Sequence, residues 1–171
     1  EEIIKPATAS ARCRWVELPA MATNVGLAQA FCSHTWGAPF RDTVAAIAEV
    51  LPDDAFVWLD IFAVRQWPSG SDIDLNFEPI VQGCDGLIIV TRHMEELDRI
   101  STQDIIAHRR TILAQNVLDQ CSFFRIWCIV EIHAALQAGK PVCLLIGKAN
   151  EDGEWDFNPD TLNKLRMVVD V

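Results

Sequence analysis

Four short apolar runs, each closing on a polar loop and separated from the next by a helical pattern, constrain this chain more than any other feature. Residues 26–33 read GLAQAFCS and end in HTWGAP; residues 55–59 read AFVWL and close on Asp60; residues 86–91 and 142–146 read GLIIVT and VCLLI. Runs that are apolar on both faces fit strands buried on both sides, and strands alternating with helices build parallel sheets covered by helices. The first connecting helix is well marked. Pro39 suits an opening turn, and Phe40, Val44, Ile47 and Leu51 recur on one helical face before Pro52-Asp53-Asp54 ends it. A weaker helical stretch covers residues 77–82.

With right-handed crossovers, these elements leave few arrangements. The expectation is an α/β, flavodoxin-like three-layer sandwich with parallel strand order 2-1-3-4 and helices on both faces. About fifty residues separate the third and fourth runs, room for two helices, at 102–119 and 124–138. Gly139 stands at a natural C-cap and Pro141 bars continuation. Beyond Gly147 comes an acidic loop, then a helix start at Asn158-Pro159-Asp160, and LRMVV at 165–169 reads as a fifth strand beside the fourth. The expected organisation is an N-terminal extension at 1–27 and one domain at 28–171, cut from a longer protein, with a helical insertion at about 101–120.

Charge narrows the partners. The 24 acidic and 14 basic side chains give a formal charge of -10, a field that repels nucleic-acid phosphate. A local positive pocket for a small anion remains open through Arg41, Arg65, Arg92, Arg109, Arg110 and Arg125. None of the six cysteines forms a C-x-x-C pair, and Cys32, Cys84 and Cys143 lie in or beside apolar runs, so buried thiols in a reducing, cytoplasmic setting are expected. The four histidines show no ligand spacing with them, and no metal is expected. No run approaches the roughly 20 apolar residues of a membrane span, and the opening EEIIK lacks the order of a signal peptide. No membrane association is expected.

In open parallel sheets, ligands bind beyond the carboxyl ends of the strands. There the loops carry Ser33, His34, Thr35, Trp36 and Gly37 after the first strand, and Asp60, Phe62, Arg65 and Trp67 after the second. Polar groups and aromatic faces in one place suit a nucleotide or sugar, although Trp36 and Trp67 would serve equally as caps on the core. A sharper signal lies in the helix at 124–138. Cys128, Ile129, Ile132, Ala135 and Leu136 form a core-facing stripe, Glu131 lies beside it, and no basic residue occupies its i±3 or i±4 positions. Such a carboxylate is costly unless a distant cation (Arg125, Arg65 or Arg41) or a cationic ligand compensates it.

In order along the chain, AFCSHTWG, FVWLDIF, CDGLIIVT, RIWCIVEI and KPVCLLI resemble the corresponding segments of Toll and interleukin receptor (TIR) domains over about residues 28–147. Trp127-Cys128-Ile129-Val130-Glu131-Ile132 is similar to the W-C-x-x-E-L segment of plant immune-receptor TIR domains. The resemblance implies a signalling or defence enzyme that cleaves the nicotinamide–ribose bond of NAD, as glycohydrolase or ADP-ribosyl cyclase. NAD is then a substrate rather than a cofactor, Glu131 is the catalytic carboxylate, and the site is completed by homo-oligomers or other TIR domains. The candidate substrate-binding set is Ser33, His34, Trp36, Phe40, Asp60, Phe62, Arg65, Trp67 and Trp127, with mobility expected of the loop at 64–74.

The chemistry favours a carboxylate. Nicotinamide leaves as a neutral molecule from a cationic nucleotide, so no general acid is needed, and a negative group stabilises the oxocarbenium ion left on ribose. Glu131 could stabilise that ion, orient the ribose hydroxyls or trap the ion covalently. Departures from the family pattern are the missing serine before the W-C pair, the helical insertion, and Ala38-Pro39-Phe40 where an acidic, polar start is common. Two other classes stay open: a non-catalytic TIR module that only self-associates, and a nucleoside deoxyribosyltransferase, which the W-C-x-x-E order argues against.

Overall fold

Alternation along the central strands feeds two separate cores. In β1 (Ala30–Ser33) and β3 (Gly86–Arg92), Ala30, Cys32, Ile88 and Val90 point to one face, and Phe31, Leu87 and Ile89 to the other. The computed structural model describes residues 2–67 and 71–169. Strands β2 (Val57–Trp58) and β4 (Val142–Ala149) complete the parallel part of the sheet, and β5 (Trp155–Phe157) pairs antiparallel with β4. The order is β2-β1-β3-β4-β5, a flavodoxin-like arrangement.

Before the sheet come α1 (Ile4–Thr8) and two 3-10 turns, Trp15–Glu17 and Pro19–Met21. Helix α2 (Phe40–Val50) covers the Ala30–Cys32–Ile88 face through Ala46 and Ile47. After β2 follow α3 (Asp60–Ala63), α4 (Ser71–Asp74) and α5 (Glu78–Gly83). The opposite face is closed by Val81 of α5 and by Ala134 and Ala135 of a later helix, packed on Phe31, Leu87 and Ile89.

The expected single helix at 102–119 is broken. After α6 (Glu95–Asp98), the chain runs through α7 (Thr102–His108), a 3-10 turn (Arg109–Ile112) and α8 (Gln115–Leu118). Ile105, Leu113, Val117 and Leu118 all enter one cluster with Met94, Leu97 and Ile146, which a straight helix could not achieve. Helix α9 (Ile126–Gln137) follows and ends at Gly139, whose φ of +64° is the left-handed conformation that glycine adopts at least cost.

The fifth strand lies earlier than expected. Strand β4 runs on to Ala149, the turn at 150–154 is tied by Glu154 N–H to Asn150 Oδ1 at 2.9 Å, and Trp155–Phe157 folds back on β4. A Cβ on Gly147 would lie 2.1 Å from Asp156 O, so this pairing requires glycine. Residues 165–169 belong instead to α10 (Pro159–Val169), capped by Asn158 Oδ1, which accepts Thr161 N–H at 2.8 Å. Leu165 is buried in the insertion's cluster, a demand of helical rather than strand periodicity. Cys32 and Cys84 are buried as expected, but Cys143 is exposed near the start of β4. Among the described residues no helix is long and apolar enough to cross a membrane.

Candidate active site

The carboxyl ends of β1 and β2 meet the first turns of α9. Helix α9 is apolar almost all round, so periodicity alone does not select its inward face. The buried residues are Cys128, Glu131, Ala134 and Ala135, whereas Ile129 and Leu136 are 46% and 64% exposed. The stripe is thus rotated from the expected one, and Glu131 sits within the buried face rather than beside it. What turns it inward is attachment to the residue that follows β1: Arg125 Nη1 donates to His34 O at 3.2 Å, and Cys128 Sγ donates to the same oxygen at 3.6 Å.

Glu131 is 6% exposed, and its Oε2 has no hydrogen-bond partner among the described residues. Burial, reinforced by the negative charge of Asp60, pushes its pKa up to about 7; Ser33, His34 and Arg125 pull the other way. Ser33 Oγ lies close enough to favour the charged form without closing a hydrogen bond, and is itself buried and unpartnered. Arg125, the one of the expected compensating cations whose charge lowers the Glu131 pKa, donates instead to the backbone carbonyl of His34. Arg65 is engaged with Asp74 and Glu17, and Arg41 and Arg92 gather on Asp42.

Asp60 is the opposite kind of carboxylate. Its Oδ1 accepts His34 Nε2–H at 2.9 Å and its Oδ2 accepts Trp36 Nε1–H at 2.8 Å. Burial opposes its charge, but these bonds and one from the Ile61 backbone outweigh it and hold the pKa below the usual range. With both oxygens engaged, Asp60 is a fixed anion that orients His34 and Trp36, poorly suited to accept a proton.

A cavity of about 230 Å³ opens in front of Glu131. His34, Trp36 and Asp60 form one wall, Arg65, Gln66 and Phe77 a second, and Arg125, Trp127 and Cys128 frame Glu131. The Trp127 ring meets Phe77 edge to face at 6.0 Å. No family model, curated protein or solved structure matches the chain. The site therefore stands on its own geometry.

Of the candidate residues, His34, Trp36, Asp60, Arg65, Trp127 and Glu131 line this cavity, with Ser33 close to the carboxyl. Phe40 stacks edge to face on Phe62 at 5.7 Å, and Phe62 lines a different cavity of about 470 Å³. Trp67 donates its indole N–H to Thr8 Oγ1 at 3.1 Å, which turns it toward the N-terminal segment. Pro68, Ser69 and Gly70, expected to lend the loop mobility, lie outside the described residues, as do the side chains of Arg109 and Arg110. Phe77, Gln66 and Cys128 were missing from the expected set. Cys128 could have been found from its place three residues before Glu131, whereas nothing local marks Phe77. Among the described residues no group of three or more His, Cys, Asp or Glu could hold a metal.

Proposed function

We propose that this domain cleaves the nicotinamide–ribose bond of NAD, with Glu131 as the catalytic carboxylate. The observation that carries the proposal is a buried glutamate with one unpartnered carboxylate oxygen, on the lining of a cavity framed by aromatic rings and two arginines. Retaining a buried carboxylate with an unpartnered oxygen costs free energy, which a cationic ligand or transition state would offset. The cavity lies below the roughly 300–1,000 Å³ of typical ligand sites, room for the nicotinamide–ribose end alone. The rest of the dinucleotide would lie across the half-exposed rings of Trp36 and Trp127, with Arg65 and Arg125 toward the pyrophosphate.

In this reading the ionised Glu131 faces positive charge developing on ribose as neutral nicotinamide departs, and the fixed Asp60 anion adds to the same field. Water or the adenine ring of the same nucleotide then attacks the sugar carbon and releases a proton. The test is incubation of the purified domain with NAD: free nicotinamide is expected, and on the order of 100-fold less or lower still from Glu131→Gln.

A second reading, a TIR module acting by self-association, is favoured by the exposed apolar side of α9, where Ile126, Ile129 and Val130 are 68%, 46% and 45% exposed. It predicts a dimer in sedimentation that Ile129→Glu dissociates, with no nicotinamide released by either form.

A further inference from the structure

The cavity of about 470 Å³ has twice the volume of the one at Glu131 and lies apart from it. It is roofed by the N-terminal segment, through Trp15 and Met21, and floored by β2 and α3. Among the described residues β2 is the outermost strand and pairs only with β1, so its other edge has no neighbouring strand there. Four aromatic residues, Trp15, Phe56, Trp58 and Phe62, supply flat apolar walls.

The charged groups in the lining neutralise each other. Arg14 donates to Asp74 Oδ1 through Nη2 at 2.6 Å and through Nε at 3.0 Å. No charge is left over to compensate an ionic ligand, and bringing one in would carry an unreturned desolvation cost. Polar recognition is still available from the side-chain amide of Asn24 and from the unpaired edge of β2. The volume falls within the range of sites that enclose small molecules, which combine apolar walls with a few polar groups.

The two cavities share structure. Asp74 lines the larger one and accepts bonds from Arg65, from the backbone N–H at 3.0 Å and from Nη1 at 3.0 Å, while Arg65 lines the smaller one. Trp58 of the larger cavity also packs edge to face on Phe77 of the smaller, at 5.3 Å.

We propose that the cavity beneath the N-terminal segment is a second ligand site, for an uncharged planar aromatic molecule with a hydrogen-bonding edge, and that its occupancy is felt at the Glu131 cavity through Asp74 and Arg65. The proposal is independent of the chemistry assigned to Glu131. Its test therefore reads binding and backbone protection rather than nicotinamide release.

The probe is 5-fluoroindole, followed by fluorine NMR because six tryptophans would obscure a fluorescence signal. Saturable binding is expected with a Kd on the order of 0.1–1 mM, within reach of a ligand of this size. Ala63→Leu, which puts bulk into the cavity, and Trp15→Ala, which removes a wall, should each weaken binding about tenfold or more, with melting curves confirming that both variants fold. Hydrogen exchange on the parent domain should slow at residues 14–25 and also at 64–67, on the far side of Asp74. Absence of saturation, or unchanged affinity in both variants, would overturn the site. Protection confined to 14–25 would overturn the coupling, and binding seen only at high dilution would assign the cavity to a second copy of the chain.

Discussion

Asp74 and Glu131 are both almost closed to solvent, 5% and 6% exposed, but Glu131 lies deeper in the protein and their chemical fates are opposite. Asp74 is the hub between the N-terminal segment and the wall of the Glu131 cavity. Burial opposes its charge, but hydrogen bonds from Arg14 and Arg65 prevail and keep its pKa below the ordinary carboxylate value. Glu131 has an unpartnered oxygen, and burial pushes it up to about 7. Surface exposure alone therefore does not decide the state of a carboxylate. What decides it is whether the fold brings donors to the oxygens, and a fold that withholds them leaves the group available to a ligand.

The largest expected effect separates the two roles. Glu131→Gln keeps the side chain's length and volume and removes its charge, so NAD turnover should fall on the order of 100-fold or more. Asp74→Asn should cost stability instead, about 2 kcal/mol, less than a fully buried ion pair because Arg14 and Arg65 are 34% and 24% exposed. The sign with pH can be checked as well. A depressed carboxylate pKa contributes stability above the unfolded value and loses it as pH falls through the folded one, so the gap between parent and Asp74→Asn in urea melts should begin to close below about pH 4 and vanish only below the depressed folded pKa. If Asp74→Asn is as stable as the parent at pH 7, Asp74 is not the hub described.

Why Glu131 was legible and Asp74 was not follows from distance along the chain. The absence of basic residues at i±3 and i±4 of Glu131 is local, and exposes its lack of a helical partner before any fold is known. Asp74 gains its role from Arg14, which lies 60 residues away, and Trp67 meets Thr8 across 59, pairings that no pattern announces. The same division runs through the fold. Strands β1, β3 and β4 are continuous apolar runs, so their identity and order were readable. The inward face of α9 was not, because an all-round apolar helix takes its orientation from what it packs against. The run at 165–169 misled because short apolar stretches fit strand or helix until their neighbours arbitrate.

A smaller effect sharpens the comparison through stability. The folded pKa of Glu131 lies above its unfolded value of 4.5, so the protonated form is favoured on folding. That contribution is complete below about pH 4.5 and is lost as pH rises through about 7. Glu131→Gln has no such loss, and should gain on the parent by roughly 1–2 kcal/mol between pH 5 and 8, after a discount for the amide's own unmet hydrogen bonds. Turnover of the parent should rise over the same interval, because the ionised form is the one that faces the ribose cation. Equal pH slopes for the two proteins would show that Glu131 titrates normally.

The smallest effect comes from removing a cation at each carboxylate and comparing the outcomes. Arg125→Gln takes away a charge near Glu131 that is not its hydrogen-bond partner, since the guanidinium donates to His34 O. Losing it should move the acid limb of the turnover profile upward, because Arg125 holds the Glu131 pKa down. Stability should drop by about 1 kcal/mol for the lost bond to His34, and maximal turnover should change far less than in Glu131→Gln. Arg14→Gln at Asp74 should do the reverse, costing stability with no displacement of the acid limb, because that carboxylate keeps its bonds from Arg65 and stands outside the Glu131 cavity. The pair of profiles compares a cation that bonds its carboxylate with one that only lies near it. If Arg14→Gln displaces the acid limb and Arg125→Gln does not, the limb belongs to the Asp74 network, and Glu131 is not the group that sets it.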